Sequence, residues 1–199
     1  MIDKLKYEIE LRAQGIEYIC GVDEVGRGPL AGPVVCAAVI MPLDNLIEGV
    51  DDSKKLCEKK RETLAETIKK NAVAYAICRV EPSIIDEINI LEATKLCMKN
   101  AVESLEIKPQ FVLVDGNMKL DVDIPQKSII KGDYLSYTIG AASIVAKHFR
   151  DKLMCDYAVQ YPEYAFEKHK GYGTKIHIQA IVDHGICPIH RRSFTKKWQ

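Results

Sequence analysis

The stretch that decides the fold is residues 18–40, YICGVDEVGRGPLAGPVVCAAVI, in which two apolar runs flank a segment rich in glycine and proline. The two runs, residues 18–22 and 34–40, are partly β-branched, and this pattern predicts two buried strands. The segment between them, residues 26–33, holds three glycines and two prolines. Such a composition favours a tight connection, so the sequence predicts a strand–loop–strand unit at the start of a sheet.

Helical and strand patterns alternate along the rest of the chain. We predict helices over 3–14, 55–70, 90–105, 137–154 and 174–184, with a short helical turn before the third, and strands over 73–80, 111–114 and 128–130. Three strands followed by alternating helices and strands indicate an α/β fold in which helices cover a mixed sheet. Because no internal repeat or low-complexity tract is present, we predict a single domain over residues 1–199, in which about 161–199 form a basic, mainly helical C-terminal extension.

The composition excludes several classes of protein. Hydrophobic residues make up 47% of the chain and charged residues 28%, as in ordinary globular proteins. No apolar run approaches the roughly 20 residues that cross a bilayer, and the mixed polar N-terminus does not suit a signal peptide. The seven cysteines are widely spaced, which argues against a zinc site or a disulfide framework and favours reduced, buried thiols. We therefore expect a cytoplasmic protein with no membrane partner.

The charge is unevenly distributed, although the net charge is zero. Residues 161–199 carry seven Lys or Arg against three acids, a balance of +4, so residues 1–160 carry −4. A basic C-terminal fifth beside a mildly acidic body is a plausible surface for phosphates. A merely solvated charged tail gives the same pattern, so the charge alone does not decide between them.

Four acids each follow a predicted strand: Asp23, Glu24, Asp115 and Asp133. Strand ends are where ligands bind in open α/β sheets, and clustered carboxylates need a cation to offset their repulsion. Oxygen ligands without His or Cys suit Mg²⁺ or Mn²⁺, and a pair of such ions about 4 Å apart suits phosphodiester hydrolysis.

The alternative is that these acids only form turns or cap helices, and this alternative is strongest for Asp115, which a glycine follows. It is weaker for the adjacent pair Asp23 and Glu24, because their mutual repulsion requires a partner. Neighbouring residues of a strand point to opposite faces. Both side chains are therefore expected to reach one metal only if the strand ends or bulges at this point.

The glycine segment allows two interpretations. Gly26-Arg27-Gly28 could be a plain tight turn. It is not a phosphate-binding P-loop, since no Gly-Lys-Ser/Thr follows it, and a dinucleotide fingerprint would require a helix where a strand is predicted. Glycines also let the backbone approach a ligand closely, so with Arg27 beside the acids this segment suits a phosphate or a sugar edge.

Seven segments together closely resemble the sequence pattern of bacterial ribonuclease HII. They are GVDEVGRGPLAGP at 21–33, DSKKL at 52–56, VDG at 114–116, KGD at 131–133, AASIVAK at 141–147, HKGYGT at 169–174 and HRRSF at 190–194. They occur in order over nearly the whole chain. The sister class, ribonuclease HIII, typically lacks the Gly-Arg-Gly and carries an extra N-terminal domain, and we expect no such domain in this protein.

The resemblance implies a ribonuclease H-like fold, a mixed five-stranded sheet flanked by helices with a C-terminal helical extension. It implies that Asp23, Glu24, Asp115 and Asp133 are catalytic and bind the Mg²⁺ or Mn²⁺ ions. The implied activity is hydrolysis of the RNA strand of RNA–DNA hybrids and cleavage 5′ of single ribonucleotides in duplex DNA, leaving 3′-hydroxyl and 5′-phosphate ends. Removal of primers and misincorporated ribonucleotides, in replication and repair, is the implied role, and a monomer is expected.

The resemblance also implies a substrate-binding role for a second set of residues. Gly26, Arg27 and Gly28 would surround the ribose 2′-hydroxyl where RNA joins DNA, and Tyr172 would stack on the sugar after the cut. The 2′-hydroxyl is the group that tells RNA from DNA, so a backbone-lined pocket for it is chemically reasonable. Lys54 and Lys55 could hold backbone phosphates, but they fit a solvated helix start equally well.

Several other polar residues have less specific interpretations. We expect exposed or capping roles for His169, His177, His184 and His190. His190, together with Arg191 and Arg192, could instead contact phosphate. Asp151 is a fallback metal ligand, but a surface ion pair with Arg150 or Lys147 is the simpler interpretation.

Two alternative functions remain at this point. A non-catalytic module that binds RNA–DNA hybrids would use the same basic face, although it would have no reason to keep four mutually repelling acids. Another ribonuclease H-like nuclease, such as a junction resolvase, would explain the acids, although it would not explain the Gly-Arg-Gly segment together with Tyr172.

Overall fold

The computed structural model describes residues 4–50 and 56–198, and its centre is a five-stranded mixed sheet. The strands are β1 Ile19–Val25, β2 Val34–Ile40, β3 Ala74–Val80, β4 Phe111–Asp115 and β5 Gln126–Ile129. Their order is β3-β2-β1-β4-β5. The first three strands form an antiparallel meander, whereas β4 and β5 run parallel to β1. The predicted α/β fold with a mixed sheet is confirmed.

Eight α-helices surround the sheet within the described part of the chain. They are α1 Lys6–Arg12, α2 Glu58–Asn71, α3 Pro82–Glu103, α4 Gly132–Leu135, α5 Tyr137–Gln160, α6 Phe166–His169, α7 Lys175–His184 and α8 Arg192–Thr195. Two short 3₁₀ turns, Pro162–Tyr164 and Lys196–Trp198, complete the C-terminal part. None of the described helices combines the length and the apolar character needed to cross a bilayer.

The helices form one layer on each face of the sheet. Helix α5 packs on β1 and β2 with α2 beside it, and α3 packs on the opposite face. The backbone of α5 approaches β1 so closely that a Cβ at Gly21 would overlap the Thr138 carbonyl carbon. The small residues that open α5, including Ala141 and Ala142, are fully buried. This close packing is what places α5 beside the acids at the end of β1.

Helix α3 consists of two helical segments that meet at Asn89. The φ and ψ of Asn89 are 68° and 165°, well outside the helical region, so the helix is interrupted there. The Asn89 side-chain oxygen accepts hydrogen bonds from the Leu91 and Glu92 amides at 2.9 and 3.2 Å and caps the second segment. The sequence prediction of a separate helical turn before a helix starting at residue 90 is therefore confirmed.

Some element boundaries differ from the predictions. Strand β1 continues to Val25 rather than ending at 22, because antiparallel pairing with β2 extends beyond the apolar run. Strand β5 begins at Gln126, before the apolar residues that predicted it, because it is an edge strand with mostly polar side chains. Helix α5 continues to Gln160, since the first residue that cannot continue a helix is Pro162.

The C-terminal part packs as short helices against the end of α5 and the loop between β1 and β2. Buried Leu30 and Ala31 from that loop contact a cluster that includes Met154, Phe166 and Ile181. This packing brings the C-terminal residues to the glycine-rich connection, which we call the glycine loop, residues 26–33.

Candidate active site

Three carboxylates gather at one end of the sheet. Asp23 and Glu24 lie near the end of β1, and Asp115 is the last residue of the neighbouring parallel strand β4. One oxygen from each of the three side chains lies within 4.8 Å of the others. We call these three residues the carboxylate cluster. Parallel neighbouring strands end on the same edge of a sheet, and this is why acids 92 positions apart in the sequence meet here.

The adjacent residues Asp23 and Glu24 meet without a distortion of their strand. Their pairing with Ala37 and Cys36 is regular, so of the two conditions considered, a bulge in β1 is not present at these residues. The pairing of β1 with β4 stops at Val22, however, so β1 runs past the end of its parallel partner. Asp23 lies on the α5 face, where the Ser143 hydroxyl contacts it. Glu24 points to the opposite face of the sheet. Its carboxylate still comes close to that of Asp23, because β4 does not pair with β1 beyond Val22 and leaves this edge of β1 open.

Burial, together with mutual repulsion, shifts the protonation equilibria of these carboxylates. Burial raises the pKa of Asp23 well above its usual value, and the charges of Glu24 and Asp115 raise it further. Burial also raises the pKa of Glu24, and the nearby Asp115 adds to this, while Arg27 opposes it. Glu24 Oε2 is buried and has no hydrogen-bond partner among the described residues.

The donor set of the carboxylate cluster fits a hard divalent cation such as Mg²⁺ or Mn²⁺. It offers carboxylate oxygens close together, and one of these oxygens is buried without a hydrogen-bond donor. A cation would neutralise the repulsion and satisfy that oxygen, and oxygen-only ligands are the ones that these ions prefer.

The fourth predicted acid, Asp133, lies beside the carboxylate cluster. The contact that links it to the cluster is made by its backbone amide and not by its carboxylate. Its amide N–H donates to Asp115 Oδ1 at 3.3 Å. Its carboxylate is not one of the three that share the 4.8 Å distance. The approach depends on Gly132, because a Cβ there would lie 3.1 Å from Asp115 Oδ1. A metal-binding role for Asp133 stays a prediction.

The glycine loop lies next to the carboxylate cluster. Arg27 is partly exposed, and its Nη1 lies 3.5 Å from Glu24 Oε1. Gly26 has φ +93°, and a Cβ there would overlap Arg150 Nε, so only glycine fits. At Gly28 the nearest atom to an added Cβ is Tyr172 Cε1, at 3.9 Å. The tyrosine ring, which is 42% exposed, thus faces the open side of Gly28.

Two buried arginines hold the glycine loop, and sequence reasoning missed both roles. Arg150 donates from Nε to the Pro33 carbonyl and from Nη2 to the Ala31 carbonyl, both at 3.1 Å. Arg191 donates to three further carbonyls of the loop, those of Gly26, Arg27 and Gly32. Burial lowers the pKa of Arg150 to about 10 and that of Arg191 to about 9.

The prediction that Arg191 could contact phosphate is wrong, because its side chain is fully buried and engaged with these carbonyls. The one signal in the sequence was indirect. The carbonyls of an irregular buried loop with prolines cannot all form hydrogen bonds within a sheet. They need donors from elsewhere in the chain, and an arginine side chain, with five N–H donors, can supply several of them.

Two other predictions change with the structure. Of the four histidines expected to be exposed or capping, His184 is exposed, and His169 accepts the Gly171 amide N–H at 3.2 Å just after the end of α6. His169, His177 and His190 are buried together, so a phosphate contact by His190 is wrong. Asp151 is buried rather than on the surface. It accepts from Lys147 at 2.7 Å, as predicted for that pair, and also from Arg61 at 3.1 Å.

Lys54 and Lys55 lie outside the described residues.

Comparison with known proteins supports one family. Residues 20–197 match the family model described as Ribonuclease HII. The Ribonuclease HII of Caldicellulosiruptor saccharolyticus is 55% identical over 197 residues, which cover 98% of this chain and 96% of that protein. The crystal structure of the ribonuclease H2 from Pyrococcus horikoshii OT3 is similar with a TM-score of 0.76 at 29% identity, covering 90% of this chain and 95% of the other.

A second solved structure, the PCNA:RNase HII complex from Archaeoglobus fulgidus, gives a TM-score of 0.77 at 26% identity and covers 89% of this chain and 94% of the other. These similarities confirm the resemblance and the ribonuclease H-like fold. They also decide against a non-catalytic binding module and against a junction resolvase. The chain belongs to the ribonuclease HII family, and it is a ribonuclease H endonuclease that acts on RNA–DNA hybrids.

Proposed function

We propose that this endonuclease also cuts 5′ of single ribonucleotides embedded in duplex DNA and leaves 3′-hydroxyl and 5′-phosphate ends. The observation that carries the proposal is the position of the glycine loop and Tyr172 immediately beside the carboxylate cluster. A sugar held between Gly28 and Tyr172 would lie next to the acids. One ribose would then be enough to direct the cut.

Asp23, Glu24, Asp115 and Asp133 would hold two Mg²⁺ or Mn²⁺ ions. Bound in a pair, such ions lower the pKa of an attacking water and offset the charge that develops on the leaving oxygen. The residues of this chain provide the frame for them. The Ser143 hydroxyl and the Glu24 amide N–H both hydrogen-bond Asp23 and so fix its carboxylate, and the Asp133 amide does the same for Asp115.

Recognition of the ribose would come from the backbone of the glycine loop. The carbonyls of Gly26 and Arg27 accept from Arg191, which fixes the peptide planes next to Gly28. A fixed backbone can hydrogen-bond a 2′-hydroxyl, the group that distinguishes RNA from DNA. Tyr172 would stack on the following sugar, and Arg27, close to Glu24, would face the phosphate.

The remaining features of the proposal follow from charge and expected context. The basic C-terminal segment and Lys54 and Lys55 would bind the phosphate backbone of the duplex. The enzyme would work as a cytoplasmic monomer in the removal of primers and misincorporated ribonucleotides.

The experiment compares three duplexes of the same sequence: one with a single ribonucleotide, one with a long RNA strand, and one of DNA only. With Mg²⁺ or Mn²⁺ present, we expect cleavage of the first two, with a 3′-hydroxyl and a 5′-phosphate at each cut, and no cleavage after chelation with EDTA. Equal cleavage of the all-DNA duplex, or activity that survives chelation, would overturn the proposal.

A matched pair of variants tests the sugar contact. Tyr172→Ala should lower kcat/KM on the single-ribonucleotide duplex by about tenfold, the effect of losing one stacking contact. Tyr75→Ala is the control, because Tyr75 is equally exposed, at 42%, but lies on edge strand β3 away from the site. If both variants behave alike, Tyr172 has no role in substrate binding.

A further inference from the structure

Three histidines form a buried cluster beneath the Tyr172 loop, which we call the imidazole cluster: His169, His177 and His190. The ring of His169 stacks on that of His177, with centroids 4.5 Å apart. His177 Nε2 and His190 Nε2 lie 3.0 Å apart. None of these rings is more than 8% exposed. The cluster comes from the segments at 169–177 and 190, and the activity described above makes no use of it.

The partners of each ring nitrogen determine the direction of the hydrogen bonds. The Cys187 amide N–H donates to His190 Nδ1 at 2.9 Å, so this nitrogen carries no proton. His177 Nδ1 lies 2.9 Å from the Tyr172 carbonyl, which can only accept, so this nitrogen carries a proton. In the neutral rings, His190 Nε2–H must then donate to His177 Nε2. Both rings are fully satisfied in this arrangement, and it leaves no nitrogen lone pair for a metal.

Burial keeps the rings in the neutral form that this arrangement requires. It lowers the pKa of His177 to about 4 and that of His190 to about 4. The result is a directional chain of hydrogen bonds, which we call the imidazole relay: Cys187 N–H, His190, His177 and the Tyr172 carbonyl.

The relay and the glycine loop share an anchor. His190 starts the relay to Tyr172, and the next residue, Arg191, donates to the carbonyls of Gly26 and Arg27. Backbone hydrogen bonds tie the same segment to the loop, from Gly32 N–H to the Ile189 carbonyl and from Arg191 N–H to the Leu30 carbonyl, both at 2.8 Å. Two consecutive residues therefore hold both sides of the gap between Gly28 and Tyr172.

We propose that His177 and His190 are positioning residues, which act through the Tyr172 carbonyl to hold the Tyr172 ring opposite Gly28 and thereby set the efficiency of cleavage at a single ribonucleotide. This inference rests on the proposed function of Tyr172. Both histidines are buried, so neither would contact the substrate directly. Backbone hydrogen bonds from Leu30 N–H to the Gly171 carbonyl and from Thr174 N–H to the Tyr172 carbonyl, both at 2.8 Å, also hold this loop. We expect the loss of a relay hydrogen bond to shift the ring slightly rather than release the loop, and small displacements of a binding group are costly in catalysis.

The test uses asparagine and glutamine at both positions, because an asparagine carboxamide reaches about as far as Nδ1 and a glutamine carboxamide about as far as Nε2. His177→Asn keeps a donor for the Tyr172 carbonyl, whereas His177→Gln loses it. His190→Gln keeps a donor for His177, whereas His190→Asn loses it. The relay therefore predicts opposite preferences: asparagine is better than glutamine at 177, and glutamine is better than asparagine at 190.

The measurement is kcat/KM on the single-ribonucleotide duplex. We expect the variant that breaks the relay to be about fivefold to tenfold slower than its partner at each position, as for one lost buried hydrogen bond. His184→Gln is the control, since His184 is exposed on the same helix as His177 and lies outside the relay. The same preference at both positions, or equal losses for both substitutions, would show that the rings only fill space.

A double-variant cycle separates positioning from general stability. In a Tyr172→Ala background, His177→Gln should cause no further loss of kcat/KM, because the ring it positions is gone. A loss as large as in the wild-type background would overturn the relay. If Tyr172→Ala by itself leaves cleavage unchanged, the proposed sugar contact fails and the relay's role fails with it. If Tyr172→Ala lowers kcat/KM but positions 177 and 190 do not show opposite preferences for asparagine and glutamine, the sugar contact stands and only the relay is excluded.

A measurement on the unmodified protein keeps the proposal testable if a variant does not fold. Nitrogen chemical shifts of the imidazoles report which ring nitrogen carries the proton. The relay requires Nδ1–H for His177 and Nε2–H for His190. The opposite assignment for either ring would exclude the hydrogen-bond direction on which the proposal depends.

Discussion

The carboxylate cluster and the imidazole cluster are both groups of three buried or partly buried titratable side chains, but they are built in opposite ways. In the imidazole cluster all six ring nitrogens have a hydrogen-bond partner. In the carboxylate cluster three carboxylates share one space, and Glu24 Oε2 is buried with no partner among the described residues. A satisfied polar cluster needs nothing from outside the chain, whereas an unsatisfied one is built for a ligand.

The protonation equilibria of the two clusters shift in the direction of the neutral form, but for different reasons. Burial lowers the pKa values of His177 and His190. Burial raises the pKa of Asp23, and repulsion from neighbouring carboxylates adds to it. A bound cation can remove the repulsion between carboxylates, but it cannot remove the effect of burial on the histidines. Divalent ions should therefore change the stability that depends on the carboxylate cluster, and acid the stability that depends on the imidazole cluster.

The largest expected effect is on catalysis. Asp23→Asn removes a charge from the carboxylate cluster while keeping its shape, so cleavage of a hybrid should fall by about a thousandfold or more. Binding of the hybrid, measured by fluorescence anisotropy, should change only a few fold. Turnover close to that of the wild type would remove Asp23 from the mechanism.

The next largest effect is the loss of folding stability at acidic pH that the imidazole cluster causes. The folded-state pKa values of about 4 for His177 and His190 lie below the usual 6.5. The unfolded chain therefore binds more protons between these values, and the free energy of unfolding falls as the pH drops from 6.5 to 4. Each imidazole contributes roughly 3 kcal/mol to this loss.

Denaturant titrations across this pH range should show a shallower dependence for His190→Gln than for the wild type. The raised pKa of Asp23 acts in the opposite direction, because protonation relieves repulsion in the folded state, so the comparison is made in an Asp23→Asn background. An unchanged pH dependence in the His190 variant would mean that this ring is already charged in the folded protein.

A smaller effect is expected from divalent cations on thermal stability. An ion that binds only the folded state stabilises it by about 2.7 kcal/mol at a hundred times its Kd, which raises the Tm by roughly 5–10 °C for a chain of this size. Differential scanning fluorimetry with Mg²⁺ or Mn²⁺ measures the shift. Asp115→Asn should abolish it, whereas His184→Gln should leave it intact. A shift of equal size in the Asp115 variant would place the ion elsewhere.

The smallest effect is on stability without metal. Asp23→Asn should stabilise the metal-free protein by about 1 kcal/mol, because it removes like-charge repulsion from the carboxylate cluster. Asp86→Asn is the matched control with the opposite sign, since the Asp86 carboxylate accepts from the Arg192 and Ser193 amides at 2.8 and 3.0 Å. Destabilisation by both substitutions would show that the carboxylate cluster is not strained.

Much of the fold and of the site could be predicted because the underlying signals are local. The apolar runs that became β1, β2, β3 and β4 are evident within a few residues, and the predicted acids Asp23, Glu24 and Asp115 directly follow apolar runs in the sequence. The glycine requirement at residue 26 is also local, since it reflects a left-handed backbone conformation. The order of motifs along the chain was sufficient to suggest the family.

Short amphipathic or polar segments were predicted less well. Strand β5 exposes Lys127 and Ser128 at the edge of the sheet, so its sequence lacks an apolar pattern. The extension of β1 to Val25 depended on hydrogen bonds to β2, and these are not marked in either segment alone.

The sequence by itself determined which residues could perform the chemistry, because acids that follow apolar runs, a glycine-rich segment and a tyrosine flanked by glycines are recognisable by residue type and position. Only the tertiary structure decided how they are held. Arg191 reaches a carbonyl 165 positions away, and His190 joins His177 in a buried relay to Tyr172. Backbone carbonyls are present in every residue, so nothing in a sequence marks which of them a distant arginine or histidine will bind.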